Sequence, residues 1–373
     1  MVSNRSPHFD VIIIGAGPAG TVAATMLARA KFEVALIEQS RFPRDKVCGE
    51  CISAVGLNVL RRHDLLLPLQ SHAPSRLTRA IICAPDGSKV ALKLPREMAG
   101  LSRLVMDQTL LSAARNAGTT VYQPARVESL DGGNRRVVAR DLQDNRLCEL
   151  QADLVLLADG KGTLSQRTTT PTGDLGIKCH LRGVDGPRDA IELFGVDGHY
   201  TGLAPIEDDL WNLAFSIPVH RVAKLRGDHD ALLNRMRGQN KSLAARLRFA
   251  ERASDWLTSS LPRFPVASHW EHNVIPLGNA AAALEPIGGE GMGLAMKSAE
   301  IACDEIITAR LKSRAIDVRL LRTQFNSLWR LRRFGCRSAA MTISSSRLSA
   351  LAVSFLGHFP RLHQPAMNLI GKL

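Results

Sequence analysis

A glycine triplet near the head of the chain, Gly15-Ala-Gly17-Pro-Ala-Gly20, constrains the fold more than any other feature. An apolar run, Phe9 to Ile14 broken only by Asp10, precedes it, and an Ala-rich stretch, Thr21 to Ala30, follows. That order predicts a strand, a tight turn and a helix. Gly15 permits the turn, Gly17 lets backbone N–H groups approach a pyrophosphate, and Gly20 lets the helix pack closely on the sheet. A second predicted strand, Glu33 to Ile37, ends at Glu38, where a carboxylate can accept both hydroxyls of an adenosine ribose. The unit predicts a dinucleotide-binding α/β domain and leaves NAD and FAD equally open.

Composition and charge narrow the class. A chain of 373 residues, 45% apolar and 22% charged, can bury a large core and accommodates two or three domains. Its seven cysteines form an odd, scattered set, and the N-terminus enters its first strand without a signal sequence. A reducing cytoplasm is therefore expected, with peripheral attachment to a membrane as the alternative. No uncharged apolar run reaches the length of a bilayer span, the longest candidate being Leu348 to Pro360. The formal charge is +13, yet residues 310 to 373 hold every Lys and Arg of that stretch against a single acid, Asp317. Those bases interleave with apolar residues (Leu320 to Leu331, Leu348 to Phe359), which fits cationic amphipathic helices on an anionic membrane surface or an acidic carrier protein. A solvated, core-packing helical face is the competing reading. Nucleic acid is excluded as a partner, since no binding motif accompanies the charge and aromatics make up only 5% of the chain.

Two further glycine signals separate the cofactors. Leu154-Val-Leu-Leu-Ala-Asp159-Gly160 continuing to Arg167, and Val274-Ile-Pro-Leu-Gly278-Asn279-Ala280 followed by Glu285-Pro286-Ile-Gly-Gly289-Glu290-Gly291-Met292, resemble the second and third motifs of the geranylgeranyl reductase and flavoprotein hydroxylase superfamily. The similarity extends over residues 8 to about 310. Arg41-Phe-Pro-Arg44-Asp-Lys46-Val-Cys48-Gly49-Glu50 resembles the loop that follows the second strand in its geranylgeranyl reductase branch, and Arg103 with Asp107 resembles the opening of the next FAD-contacting helix. The resemblance implies FAD, reduced by NAD(P)H or a partner reductase. It implies a cofactor set of Gly15, Gly17, Pro18, Ala19, Gly20, Glu38, Gln39, Arg44, Cys48, Gly49, Arg103, Val127, Asp159, Gly160, Gly278, Asn279, Pro286, Gly289, Glu290, Gly291 and Met292. In the third motif an Asp is usual where Asn279 stands, and the amide keeps a hydrogen bond to a hydroxyl without the charge. The helix starting near Gly291 would point its positive end at the flavin.

The expected fold is α/β: a Rossmann-type FAD-binding domain (glutathione reductase-like, hydroxylase branch) interleaved with an antiparallel β-sheet substrate domain and a helical C-terminal region. The boundaries are 1–75, 98–170 and 265–310 for the flavin domain, 76–97 and 171–264 for the β-rich domain, and 311–373 for the basic tail. Strands are expected over Leu77 to Leu94 with a turn at Pro85-Asp86-Gly87, then Gly176 to Arg182, Ala190 to Phe194, Tyr200 to Pro205 and Leu210 to Pro218, with a helical segment near Asp228 to Glu251 covering them.

Flavin enzymes of this kind need few catalytic side chains, because the cofactor carries the chemistry and the protein orients substrate and excludes water. The candidates are Lys46 and Cys48 beside the flavin, and Tyr200, His199 and His180 on the predicted strands, where each could give or take a proton. Cys48-Gly-Glu-Cys51 has the spacing of a redox dithiol, but no second GxGxxG for a nicotinamide domain accompanies it. No cysteine and histidine spacing suits zinc. In the reductase branch a Tyr-x-Trp-x-Phe-Pro signature grips the isoprenoid chain; here the register reads Tyr200-Thr-Gly202-Leu-Ala204-Pro205, without either large ring. The expected function is an FAD-dependent oxidoreductase on a hydrophobic small molecule, by C=C reduction or by O2-dependent hydroxylation as a monooxygenase. The alternatives are a flavin-linked dithiol oxidoreductase using Cys48 and Cys51, and a non-enzymatic flavin-binding partner protein.

Overall fold

The structure, a computed structural model, describes residues 6–160, 164 and 173–371. The part of the second glycine motif at 161–163 and 165–167 lies outside the described residues. Along the chain the strands are β1 (His8–Ile14), β2 (Val34–Ile37), β3 (Cys51–Ile52), β4 (Ser75–Cys83), β5 (Lys89–Gly100), β6 (Thr120–Tyr122), β7 (Ala125–Asp131), β8 (Arg136–Asp141), β9 (Leu147–Leu157), β10 (Asp174–Arg182), β11 (Ala190–Val196), β12 (His199–Pro205), β13 (Trp211–Pro218), β14 (Glu251–Arg252), β15 (Leu257–Ser260) and β16 (Val274–Pro276). The helices are α1 (Pro18–Arg29), α2 (Ala54–Arg62), α3 (Leu66–Gln70), α4 (Arg103–Asn116), α5 (Val219–Ala223), α6 (His229–Gln239), α7 (Lys241–Arg246), α8 (Gly291–Leu311), α9 (Val318–Ile343), α10 (Ser346–His358) and α11 (His363–Leu369).

One sheet has the order β6-β2-β1-β9-β8-β7, with β16 also on β9. Its centre is parallel, from β6 through β2, β1 and β9 to β16, and reads as near-continuous apolar runs because both faces are covered. Val11, Ile13 and Leu36 pack one face under α1, α4 and α8, while Ile12, Ile14 and Val155 join the core built with β7 and β8 on the other. At the end of β1 the chain turns through Gly15 at φ +101°, and a Cβ on Gly20 would run into the Gly15 carbonyl, so only glycine allows α1 to start there.

The second sheet has the order β14-β10-β13-β12-β11-β4-β5-β3, with β15 also on β10. The expectation of an antiparallel sheet needs one correction: β4 and β11 pair in parallel, Ala190 opposite Arg79 through Phe194 opposite Cys83. Hairpins force antiparallel neighbours, and β4–β5 and β11–β12–β13 obey that, but β4 meets β11 only after the chain has travelled through the first sheet, so no turn dictates their direction. Leu213 and Phe215 pack on one face with Leu232, Met236 and Leu243 of α6 and α7. The opposite face packs against the tail: Ala204 and Leu92 against Val353 and Met367, and Tyr200 against Ile343 and Ala340.

The tail is three helices folded back over that face. Asp317 caps α9 through a 2.9 Å bond from the Leu320 N–H, Ser345 caps α10, and Asp197 accepts the Ser346 N–H at 2.9 Å, tying the turn between the helices to the β11–β12 turn. The two helices bend by 108° at this break. Gly195 lets the end of α9 come so close to β11 that a Cβ there would meet the Ile343 carbonyl. Among the described residues no single helix is long and apolar enough to cross a membrane.

Candidate active site

The turn after β1 and the end of β2 make the first part of the site. Both oxygens of the buried Glu38 carboxylate accept backbone N–H groups, from Ala16 and Ser40, each at 2.8 Å, which locks the acid at the strand end. Gly17 caps α1, and the nearest atom to a Cβ built on it is an Arg103 nitrogen at 3.9 Å. Arg103, the first residue of α4, is buried and doubly bonded to Asp107 one turn later (2.9 and 2.6 Å), and Arg44 reaches the same carboxylate at 2.9 Å. Lys46 completes a group of three cations. Burial, then the charges of Arg103 and Arg44, lower its pKa to about 8.

The other two glycine signals arrive on the neighbouring strand ends. Gly160 follows β9, and a Cβ on it would lie 3.3 Å from Lys46 Nζ. Beside it burial raises the pKa of Asp159, against the opposing effects of the Leu164 N–H and the Lys46 charge. After β16, Gly278 turns at φ +55° and donates to Ser298 Oγ at 2.9 Å, which pins the Asn279 loop to α8. Gly291 opens α8 with no atom within reach of an added Cβ, leaving the positive end of a 21-residue helix uncovered. FAD fits these residues. A helix N-terminus open at Gly17, with three crowded cations beside it, is short of an anion, and a pyrophosphate would relieve the repulsion that depresses Lys46.

A cavity of about 460 Å³ runs from this cradle into the second sheet and up to the tail. Its walls include Gly17, Pro18, Ala19, Lys46, Cys48, Gly49, Arg103, Gly160, Gly278, Asn279, Pro286, Gly289, Gly291 and Met292, so most of the expected cofactor residues come together. Glu38, Arg44 and Asp159 do not line that wall: Glu38 holds the Ala16 N–H, Arg44 pairs with Asp107, and Asp159 lies in the field of Lys46; Gly15 and Gly20 shape the turn, and buried Glu290 precedes α8. Gln39 points outward and Val127 is packed in the core of the first sheet; neither lines the cavity.

Beyond the cradle the walls are mainly aliphatic, and one hydroxyl stands out. Tyr200 donates to Glu285 Oε1 at 2.6 Å; Ser216 donates to the same oxygen at 3.3 Å, and Arg263 pairs with Glu285 Oε2 and with Asp174, each at 2.6 Å. Burial, then the Glu285 charge, push the Tyr200 pKa well above that of a free phenol. Gly202 and Ala204 continue the same face of β12, and their small size leaves the chamber wide. His199 points the other way, as strand alternation requires. It does not line the cavity, its Nδ1 lies 3.3 Å from the Asp197 carbonyl, and burial lowers its pKa to about 4. Its expected place among the catalytic groups is therefore corrected.

The loop from Asp45 to Cys51 is held from below. Lys178, fully buried on β10, bonds to Asp45 at 2.6 Å and Glu50 at 2.7 Å, and His180 pairs with Glu50 at 2.7 Å. Asp45, Glu50 and His180 converge closely enough to suit a cation, and the Lys178 ammonium fills that role. Cys48 Sγ accepts the Glu50 N–H at 3.4 Å, and Cys51 Sγ donates to the Gly49 carbonyl at 3.2 Å; neither cysteine forms a disulfide. Sequence reasoning missed this Lys178 cluster and the role of Glu285, although a lone carboxylate in Ala-Ala-Ala-Leu-Glu285-Pro was a visible signal.

Residues 8–184 match the FAD binding domain family. Over 79% of its length the chain is 28% identical to digeranylgeranylglycerophospholipid reductase 2 of Methanopyrus kandleri, covering 76% of that protein. This chain is an FAD-dependent oxidoreductase that is similar to the geranylgeranyl reductases. The flavoenzyme is also 24% identical to conditioned medium factor receptor 1 of Dictyostelium discoideum, over 98% of this chain and 74% of that one. Its fold matches the flavin-dependent brominase Bmp2 with a TM-score of 0.82 at 19% identity, covering 98% of this chain and 94% of that one. The reductase likeness expected from the motifs is thus present in the sequence, and the brominase likeness is one of fold. The aliphatic walls beyond the cradle suit a hydrophobic small molecule.

Proposed function

We propose that the enzyme reduces carbon–carbon double bonds in an apolar, lipid-like substrate, with Tyr200 as the proton donor. The observation that carries this is the Tyr200–Glu285 pair, a protonated phenol facing an aliphatic chamber that opens directly from the cofactor cradle. Bound and reduced by NAD(P)H or a partner reductase, FAD supplies the hydride for one alkene carbon. The chain must deliver a proton to the other carbon. The alkene carbon next to the one that accepts hydride is left with the electron pair and is far more basic than a phenolate, so a phenol of raised pKa still donates downhill and regains its proton readily, with Ser216 and Glu285 holding the hydroxyl in place. Hydroxylation of a phenol asks for a base instead, which a tyrosine of raised pKa is not.

Lys46, Arg44 and Arg103 hold the cofactor's charge, and Cys48-Gly49, fixed by Lys178 through Glu50, forms the wall between cofactor and chamber. Gly202 and Ala204 replace the two rings of the isoprenoid signature, and the tail supplies grip in their stead through Trp329, Ile343, Leu356 and Met367. Seven cysteines outside any disulfide support a reducing, cytoplasmic location, and the basic tail supports work at an anionic surface. The test is anaerobic turnover of polyunsaturated isoprenoid lipids with NAD(P)H, followed by mass spectrometry. Products gaining two hydrogens are expected; products gaining an oxygen atom, formed only in air, would replace this reading with hydroxylation.

A further inference from the structure

The tail has two working faces. The inner face roofs the cavity with Trp329, Ala339 and Thr342 of α9 and Ala352 and Leu356 of α10. The outer face of α9 carries Arg330, Leu331, Phe334, Arg337 and Met341, spaced at three and four residues as one helical stripe, and that of α10 carries Arg347, Leu348, Leu351 and Phe355 in the same rhythm. These apolar side chains are strongly exposed: Phe334 at 67%, Leu351 at 66% and Met341 at 65%. Of the 16 exposed large hydrophobic residues among the described residues, ten fall between Val318 and Leu362. Such a concentration, on one bent element, is unlike the scattered exposed leucines of an ordinary surface.

Charge says what covers it. Elsewhere many arginines are paired, as in Arg314 with Glu305 or Arg140 with Glu128, but among the described residues no base of α9, α10 or α11 makes an ion pair with an acid. Arg333 is instead pressed by its neighbour Arg337, and burial with that repulsion lowers its pKa. An apolar stripe flanked by arginines that lack counter-charges is complementary to a surface with acyl chains beneath anionic groups.

We propose that the outer face of the α9–α10 elbow seats in the interface of an anionic lipid bilayer, with Phe334, Met341, Leu351 and Phe355 among the acyl chains and Arg330, Arg337 and Arg347 at the headgroups. The element that touches the bilayer is then the roof of the chamber, and a lipid substrate passes between α9 and α10 without crossing water. That second step rests on the reductase reading; the docking does not.

The experiment uses the full-length FAD-loaded protein, co-sedimented with phosphatidylcholine vesicles with and without phosphatidylglycerol, at low and high salt, beside a pull-down with an acidic carrier protein. Binding to the anionic vesicles, weakened but not abolished by salt, is expected. Phe334→Ser with Leu351→Ser and Phe355→Ser should leave at most residual binding, and Arg330→Gln with Arg337→Gln should weaken it about 30-fold, from ~1 kcal/mol for each base. All five residues are exposed, so FAD content and turnover of detergent-dispersed lipid should stay unchanged, which shows that the variants fold. Equal binding to neutral vesicles, retention by the acidic carrier alone, or unaltered binding by the triple serine variant would each overturn the docking. Docking without turnover of any lipid would overturn the reductase reading and leave the surface intact.

Discussion

The cofactor cradle and the substrate chamber adjoin in one cavity, yet they are built on opposite principles. The cradle is made of strand ends, backbone N–H groups and three cations, arranged around a ligand whose charge and shape never vary. The chamber is made of side chains from β4, β5, β11–β13 and three helices that arrive from the far end of the chain. Recognition by backbone demands particular glycines at particular places, whereas recognition by an apolar wall demands only volume. One half of the site is therefore written in motifs and the other in packing.

The strongest way to break that comparison is Gly17→Trp. An indole at the open α1 N-terminus should abolish FAD binding, seen as colourless protein with the far-UV spectrum retained, because Gly17 has space for a side chain only where the cofactor would lie. Yellow protein with stoichiometric flavin would mean that the cradle is not where the glycines place it. Next in size, Tyr200→Phe acts on the chamber alone: FAD content should hold while turnover falls about a hundredfold or more, the usual contribution of a placed acid. Unchanged turnover would remove Tyr200 from the chemistry.

The smallest effect sharpens the electrostatic half. Lys46 titrates near 8 because burial and its cationic neighbours disfavour the charged form, and a bound dianion would favour it. Binding of FAD should therefore take up protons around that pH. Affinity should be full below about 8 and decline as the pH rises through it, while Lys46→Met should be weaker at neutral pH and flat across the same range. Fluorescence quenching of FAD titrated into apoprotein reads this directly, and an identical slope in the variant would assign the titration elsewhere.

The different construction of the two halves explains what could be read in advance. Gly15 to Gly20, Glu38, Gly160 and Gly278 to Gly291 were legible because each answers a local backbone demand, a turn, a close approach or an open helix end. Gln39 and Val127 were carried along with those motifs, but one faces solvent and the other the core. His199 and Tyr200 looked equivalent, since adjacent residues on a strand differ only in which face is buried against what, and that depends on the tail lying over one side of β12. Lys178 gave no signal at all: it sits 128 residues from Glu50, and only the packing of β10 under the Cys48 loop makes them partners.

From the sequence alone came the nucleotide fold, the cofactor and the apolar, basic character of the tail, because periodicity, glycine placement and net charge are properties of short stretches. Tertiary structure decided that β4 runs parallel to β11, that Glu285 rather than a histidine backs the tyrosine at the chamber, and that the tail closes the cavity with one face while leaving the other bare. Each of these depends on contacts between segments 85 or more residues apart, and local chemistry does not choose among the partners such segments could find.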